Sequence, residues 1–247
     1  MTSLAATDGH PEVTVIIPTR NRRHLLQETI DSLLAQTFQN WELIVVDDAS
    51  EDDTWQWLSG LQDARIRAIR MTEHGERSKA RNAGLSEARA ERVLFLDDDD
   101  LLPKEALQKH VEAMQQHPDA VVSVGGHLEF DGKGGRRDAP IAKRRAERNV
   151  AADISLGFVP LSGPELFQQQ ARESVNAWDE TYAIAEDHHL NMRVMRLGPA
   201  VLLPEIVLEY RVHDGQGRPF RTWKLAMKIR KRAIKKVTPE ERRRAEQ

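Results

Sequence analysis

Strand-sized apolar runs alternate with stretches of helical spacing through the first half of the chain. The runs that predict strands are residues 13–17, 41–46, 65–71 and 93–96. Helical spacing lies between them, in residues 24–36, around Trp55 and Leu58, and in residues 78–90. This alternation predicts an α/β fold with a Rossmann-like, mostly parallel central sheet and helices on both faces.

The second half of the chain has a weaker pattern. Residues 131–149 are rich in Gly, Lys and Arg, which predicts an exposed loop. Gly163 and Pro164 precede an amphipathic stretch, residues 186–197 have helical spacing, and residues 201–210 predict another strand. The pattern indicates a single domain in which later elements elaborate the sheet.

Acidic residues follow two of the predicted strands. Asp47 and Asp48 end the second strand, and four aspartates, residues 97–100, end the fourth. Ligands of open parallel sheets bind beyond the carboxyl ends of the strands, where both clusters are expected to lie. Crowded carboxylates repel one another unless a cation binds, and oxygen ligands suit Mg²⁺ or Mn²⁺. A solvated acidic turn is the alternative for the four aspartates, and a receiver-domain phosphorylation site is the alternative for Asp47 and Asp48.

Cations and small residues open the helix that lies between the two acidic clusters, in residues 74–84. Lys79 and Arg81 can reach phosphate there, together with free backbone amides at the start of the helix. An ordinary helix with solvated cations is the alternative interpretation.

Composition narrows the choice of partners. The formal net charge of the 247 residues is −3, so we expect no nucleic-acid partner. The chain has no cysteine, which excludes disulfides and thiolate metal sites and is compatible with the cytoplasm. We also expect neither a signal peptide nor a transmembrane helix, because the apolar runs are strand-sized.

Four blocks of sequence carry a resemblance to a known family. They are residues 13–22 (VTVIIPTRNR), 47–50 (DDAS), 80–82 (ARN) and 95–100 (FLDDDD). In order and spacing they closely resemble the family-two glycosyltransferases of GT-A fold, and the resemblance spans residues 11–213. It implies an inverting transfer of a hexose or N-acetylhexosamine from a nucleotide-sugar to a hydroxyl acceptor.

The resemblance also implies a donor site. The residues expected to bind the nucleotide-sugar are Pro18, Thr19, Arg20, Asn21, Asp47, Asp48, Lys79, Arg81, Asp97 and Asp98. Asp99 and Asp97, with His213, are expected to hold Mn²⁺ or Mg²⁺ on the diphosphate. The run of four aspartates leaves the register of these metal ligands open by one position.

The pair Glu186 and Asp187 resembles the family's Glu-Asp pair, in which the aspartate is the catalytic base. Inversion by direct displacement requires a carboxylate to take the proton of the acceptor hydroxyl. Without the motif, the pair is equally well explained as an acidic first turn favoured by the helix dipole. Trp178 is either a sugar-stacking platform or part of the core, and core is favoured.

The family further implies a UDP-sugar donor, with dTDP- and GDP-sugars as alternatives, and a carbohydrate or lipid-linked acceptor in polysaccharide, lipopolysaccharide or glycan assembly. We divide the chain into a nucleotide-sugar-binding half (11–130), an acceptor and catalytic-base half (131–217) and a basic helical tail (218–247). The competing functions are a sugar-nucleotide nucleotidyltransferase and a GT-A-like nucleotide-binding module without turnover.

The tail carries twelve Lys and Arg between residues 218 and 244 against two Glu, on an amphipathic pattern. Such a helix favours an anionic membrane surface, which would make a cytoplasmic protein peripheral at the inner face of the cell membrane. A solvated helix, a packing arm in a homodimer and disorder after Pro239 are the alternatives.

Overall fold

The computed structural model describes residues 10–131, 135–138, 165–168, 177–182, 186–194 and 196–212. The strands in these ranges are β1 (Val13–Thr19), β2 (Trp41–Asp47), β3 (Ile66–Arg70), β4 (Arg92–Phe95), β5 (Val122–Phe130), β6 (Arg136–Asp138), β7 (Glu165–Gln168) and β8 (Ala200–Arg211). The helices are α1 (Arg23–Leu34), α2 (Thr54–Ser59), α3 (Glu76–Ser86), α4 (Ala106–Gln116) and α5 (Glu186–Val194). The predicted basic tail and most of residues 131–164 lie outside the described residues.

All eight strands belong to one mixed sheet. Its order is β3-β2-β1-β4-β7-β5-β6, and β8 pairs with β5. The first four strands are mutually parallel, β5 and β8 are parallel, and β7 runs antiparallel to both β4 and β5. The chain starts at β1, adds β2 and β3 on one side and β4 on the other, so the strand order reverses at β1. Ligands of open α/β sheets bind at such a switch point.

Helices cover both faces of the sheet, as the apolar pattern predicts. Val13, Val15 and Ile17 of β1 pack with buried residues of α1, α2 and α4 on one face. Ile16 faces the other way and packs against Ala80 of α3. Because both faces of β1 and β2 are covered, every residue of these two strands is buried. The sequences of β1 and β2 are therefore mostly continuous apolar runs rather than an alternation of apolar and polar residues.

A glycine allows α3 to lie close to the sheet. A Cβ at Gly84 would come within 2.6 Å of Ile16 Cγ2 and 3.0 Å of Val46 Cγ2. Because glycine has no side chain, α3 lies closer to β1 and β2 than any other residue at position 84 would allow. This close contact brings the first turns of α3 to the carboxyl edge of β1 and β2.

The sequence pattern did not identify one strand of the second half. The stretch that follows Pro164 was expected to be amphipathic with no element assigned, and residues 165–168 form β7, inserted between β4 and β5. Leu166 and Phe167 are both buried because the strand lies inside the sheet. Such a short segment carries too few positions to reveal its period.

The loops at the carboxyl edge contain three non-glycine residues with positive φ. They are Asn21 at 54°, Ala49 at 55° and Glu76 at 65°, in the loops after β1, β2 and β3. Asn21, expected to bind the donor, instead joins two of these loops. Its Oδ1 accepts from the backbone N–H of Glu51 at 2.7 Å, and its own N–H donates to Ser50 Oγ at 3.0 Å. Asn21 therefore fixes the loop after β1 against the loop after β2.

The Asn21 contact predicts a ranking of two substitutions. Asn21→Gly removes the side-chain hydrogen bond but tolerates the positive φ, so it should lower the free energy of unfolding by about 1 kcal/mol. Asn21→Ala loses the same hydrogen bond and leaves at this positive φ a residue that tolerates the left-handed region less well than Asn or Gly, so it should cost about 1 kcal/mol more. Urea denaturation of both variants measures the difference; equal stability of Asn21→Ala and the parent protein would contradict it.

A buried histidine predicts how stability depends on pH. His110 on α4 is fully buried with Nδ1 2.7 Å from Ser123 Oγ, and burial lowers its pKa from 6.5 to about 3. Because the unfolded chain takes up this proton first, His110 destabilises the fold as pH falls from 6.5 towards 3. Between pH 7 and 5 the loss should be about 2 kcal/mol.

His110→Gln keeps a hydrogen-bonding side chain without the titration, so the variant should lose about 2 kcal/mol less than the parent over this interval. Urea melts at pH 7 and 5 measure the difference. The matched control is His117→Gln, at the exposed end of the same helix, which should follow the parent. A His110→Gln variant with the parent's pH dependence would refute the assignment.

Candidate active site

A cavity of about 170 Å³ opens at the carboxyl ends of β1, β2 and β4. The residues predicted from the sequence that line it are Pro18, Thr19, Arg20, Asp48, Asp97, Asp98 and Asp99. Acidic residues from the ends of two strands therefore face one space at the switch point of the sheet.

Groups from the end of β1 and the loop after it hold Asp98 and Asp99. Thr19 Oγ1 donates to Asp98 Oδ2 at 2.7 Å. Arg22 Nη1 lies 3.0 Å from Asp98 Oδ1 and 2.9 Å from Asp99 Oδ2. Burial raises the pKa of Asp98 to about 6, and the charges of Asp99 and Asp97 act in the same direction. Asp98 is thus hard to ionise even with Arg22 and Thr19 beside it.

Asp100 lies on the opposite side of the cluster, next to β8. The backbone N–H of Arg211 donates to Asp100 Oδ1 at 2.9 Å, and Arg211 Nε donates to the carbonyl of Asp99 at 2.7 Å. Burial, followed by the charge of Asp97, raises the pKa of Asp100 well above its ordinary value. The cluster therefore holds more acidic groups than its surroundings stabilise in the charged form.

The donor set fits a divalent cation. Asp97, Asp99 and Asp100 each present one carboxylate oxygen, and these oxygens lie within 4.8 Å of one another. Carboxylate oxygens are the ligands that Mg²⁺ and Mn²⁺ prefer. A cation there would also relieve the repulsion that, after burial, raises the pKa values of Asp98 and Asp100. The group contains the expected Asp97 and Asp99 and adds Asp100.

Arg81, which was expected to contact phosphate, lies between two carboxylates. Its Nη2 lies 2.7 Å from Asp97 Oδ1, and its Nη1 lies 3.0 Å from Glu186 Oε1. The guanidinium carbon is 4.4 Å from the centre of the Trp178 ring, and the side chain is buried. Burial opposes its charge, but Asp97 and Glu186 outweigh burial and raise the pKa of Arg81. Arg81 is therefore turned inward and joins the cluster to α5.

This link brings the predicted catalytic pair close to the acidic cluster. Glu186 is buried against Arg81, whereas Asp187, the next residue, is exposed at the start of α5. Neither side chain lines the cavity. Trp178 is 6% exposed and packs edge-on against Phe95 at 5.0 Å, so its ring belongs to the core, as favoured from the sequence.

Asp48 is held by the loop before α3. His74 Nδ1 lies 2.6 Å from Asp48 Oδ2, and the backbone N–H of Gly75 donates to Asp48 Oδ1 at 2.7 Å. Asp47 lies underneath, fully buried, with one oxygen 3.3 Å from Arg70 Nε and the other accepting from the Ser50 N–H. Asp48 therefore faces the cavity and Asp47 supports the loop.

Two further expected residues, Lys79 and His213, are not among the described residues that line the cavity. Lys79 does not line the cavity, and its Nζ is 3.2 Å from Glu73 Oε1 at the surface. Lys79 follows the buried Ser78 on α3, and consecutive residues of a helix point in different directions, so its side chain lies at the surface. His213 lies outside the described residues.

Besides Ala80, the sequence did not predict four polar lining residues, which are Arg22, His74, Glu76 and Arg77. Arg22 is the last residue of the block 13–22. His74 lies just before α3 and Glu76 and Arg77 lie in its first turn, within the cationic segment of residues 74–84. Their position just beyond β1 and β3 was the available signal, since carboxyl-edge loops line sites in such sheets.

Among the described residues, no helix is both long enough and apolar enough to cross a bilayer.

Two curated relatives each match about half of the chain. The chain is 36% identical over 144 residues to the GalNAc(5)-diNAcBac-PP-undecaprenol beta-1,3-glucosyltransferase of Campylobacter jejuni, covering 54% of this chain and 47% of that protein. It is 31% identical over 121 residues to the glycosyltransferase GlyG of Streptococcus pneumoniae, covering 48% and 40%. The chain thus spans about half of these relatives' length or less.

Solved structures match most of the chain. S. aureus TarS 1-349 in complex with UDP-GlcNAc has a TM-score of 0.75 at 21% identity, covering 94% of this chain and 69% of that one. The mannosyltransferase PcManGT of Pyrobaculum calidifontis, in complex with GDP-Man and Mn²⁺, has a TM-score of 0.71 at 21% identity, covering 94% and 67%. The expected GT-A fold is confirmed. The model of glycosyl transferase family 2 matches residues 14–162, more than half of the chain, and the protein therefore belongs to that family.

Proposed function

We propose that the protein is an inverting, metal-dependent glycosyltransferase that moves a hexose or N-acetylhexosamine from a nucleotide-sugar, with UDP-sugars favoured, to a hydroxyl acceptor. One observation carries the proposal: Asp48 and the run from Asp97 to Asp99, far apart in the sequence, line one cavity at the switch point of a GT-A sheet. Family membership and the UDP-GlcNAc complex of the TarS neighbour support it.

The donor would enter along the loops after β1 and β2. Thr19, Arg20 and Asp48 are available at the cavity wall for the base and ribose, beside Pro18. Asp97 and Asp98 extend this wall towards the diphosphate.

Asp97 and Asp99, with Asp100, would hold a divalent cation. When bound, such a cation would neutralise the charge that develops on the departing diphosphate. The Mn²⁺ of the mannosyltransferase neighbour supports a metal of this type.

Asp187 is proposed as the catalytic base. The acceptor oxygen forms its bond to the anomeric carbon while the bond from that carbon to the diphosphate breaks. The diphosphate leaves with the electron pair of that bond. The hydroxyl proton passes to the Asp187 carboxylate, which is exposed and therefore accessible to an acceptor. Buried Glu186 keeps the first turn of α5 beside the cluster through Arg81.

The acceptor is proposed to be a carbohydrate or a lipid-linked glycan of a surface polysaccharide. The Campylobacter relative, whose name specifies a PP-undecaprenol-linked substrate, supports this class. A lipid-linked acceptor would place the protein at the cytoplasmic membrane face, where the basic residues 218–247 suit anionic lipid.

Nucleotide binding tests the donor site. A thermal-shift series with UDP, GDP and dTDP, each with and without Mn²⁺, should show stabilisation only for the matching nucleotide with metal. Asp99→Asn should lose at least tenfold in metal-dependent affinity, because one ligand of the cation is neutralised. Asp119→Asn, at an exposed turn, is the control and should bind as the parent. Unchanged titrations for Asp99→Asn would reject the metal assignment.

Turnover tests the base. Asp187→Asn should keep nucleotide binding but lower UDP release from a UDP-sugar by about 10²- to 10⁴-fold, the usual contribution of a general base. Asp119→Asn again serves as the matched control. Full activity of Asp187→Asn would show that another group takes the proton.

A further inference from the structure

Arg22 makes the closest cationic contact to the acidic cluster from the cavity side. Its Nη1 bridges Asp98 and Asp99 at 3.0 and 2.9 Å. The two carboxylates are only 8% and 9% exposed, whereas the Arg22 side chain is 32% exposed. The Arg22 guanidinium thus lies at the cavity-facing edge of the cluster, and its side chain is partly open to the cavity.

Asp99 is placed to interact with either of two cations. One of its oxygens contacts Arg22, and it is also one of the three carboxylates whose oxygens can converge on a single ion. A guanidinium at this distance repels a divalent cation, and the repulsion is strong because the surrounding carboxylates are largely shielded from water. The two cations therefore compete for the same charge.

The backbone around Arg22 allows its side chain to turn without disturbing the fold. Residue 22 is the N-cap of α1, and the preceding Asn21 is tied to the loop after β2 by its side chain and its N–H. We expect the partly exposed guanidinium to turn from the carboxylates towards the cavity that it already lines by side-chain rotation alone.

We propose that Arg22 is an internal counter-ion of the acidic cluster, which competes with the divalent cation for Asp99 and, once displaced, binds the diphosphate of the donor. The inference rests on the proposed function for its second part only. It gives Arg22 opposite effects on two ligands: it weakens binding of the metal alone and strengthens binding of the nucleotide.

The first measurement uses Mn²⁺ alone, followed by electron paramagnetic resonance of the free ion. Arg22→Gln removes the competing charge, so its Mn²⁺ dissociation constant should fall about tenfold relative to the parent. Arg22→Lys keeps the charge and should stay near the parent value. Arg23→Gln is the matched control, because the neighbouring Arg23 pairs with Asp53 at the surface and does not line the cavity.

The second measurement uses UDP at saturating Mn²⁺. Arg22→Gln should bind UDP at least tenfold more weakly than the parent, and Arg23→Gln should bind it equally. Thermal melts of the free proteins show that each variant is folded.

The outcomes separate the inference from the proposed function. Equal or weaker Mn²⁺ binding by Arg22→Gln overturns the counter-ion role, whatever the nucleotide does. UDP binding that is strong in the parent and unchanged in Arg22→Gln overturns the diphosphate role while the proposed function stands. If no nucleoside diphosphate binds the parent with Mn²⁺, the proposed function fails, and the Mn²⁺ titration alone still decides the counter-ion role.

Discussion

Four consecutive carboxylates at the end of β4 impose the main constraint on this structure. Like charges so close together cannot all ionise in a buried setting without cations around them. The chain supplies these cations from elements that are remote in sequence, with Arg22 from before α1 and Arg81 from α3, while Arg211 at the end of β8 adds hydrogen bonds and pairs its charge with Glu28. Neutralising the cluster therefore requires the sheet and its flanking helices to be assembled.

The arginines stabilise the cluster in different ways. Arg81 is buried between Asp97, Glu186 and Trp178, an arrangement that holds α5 against the first half of the sheet. Arg211 contacts the backbone of Asp99 and the side chain of Asp100, and so secures the side away from the cavity. Arg22 is the most exposed of the three, which is the property that a replaceable counter-ion needs.

The loops around the cavity are held in unfavourable backbone conformations. Ala49 and Glu76 have positive φ, a region that costs side chains other than Gly, Asn and Asp about 1 kcal/mol or more. The tertiary contacts compensate: Asp48, next to Ala49, is bonded to His74 and to Gly75, next to Glu76. Strain is thus concentrated where the loops after β2 and β3 must present polar groups to one space.

The sequence by itself determined the first four strands of the sheet, the helices between them and the edge at which the acids lie, but not β5, β6 or β7. Residues 13–17 and 93–96 are apolar enough to predict buried strands, and a parallel strand delivers whatever follows it to the carboxyl edge. The family resemblance added the expected donor site, and six of its residues line the cavity together with Asp99, an expected metal ligand. All of this depends on local spacing and on short motifs.

Only the tertiary structure decided which cation meets which acid. Arg81 and Glu186 are 105 residues apart, and Arg22 and Asp99 are 77 apart, so no local pattern specifies these pairs. The same separation explains why the ion pair of Arg81 with Glu186 and the contact of Asn21 with the backbone of Glu51 were not predicted. A charged side chain takes the partner that burial and geometry bring within reach, and these are properties of the folded chain rather than of the residue's neighbours in sequence.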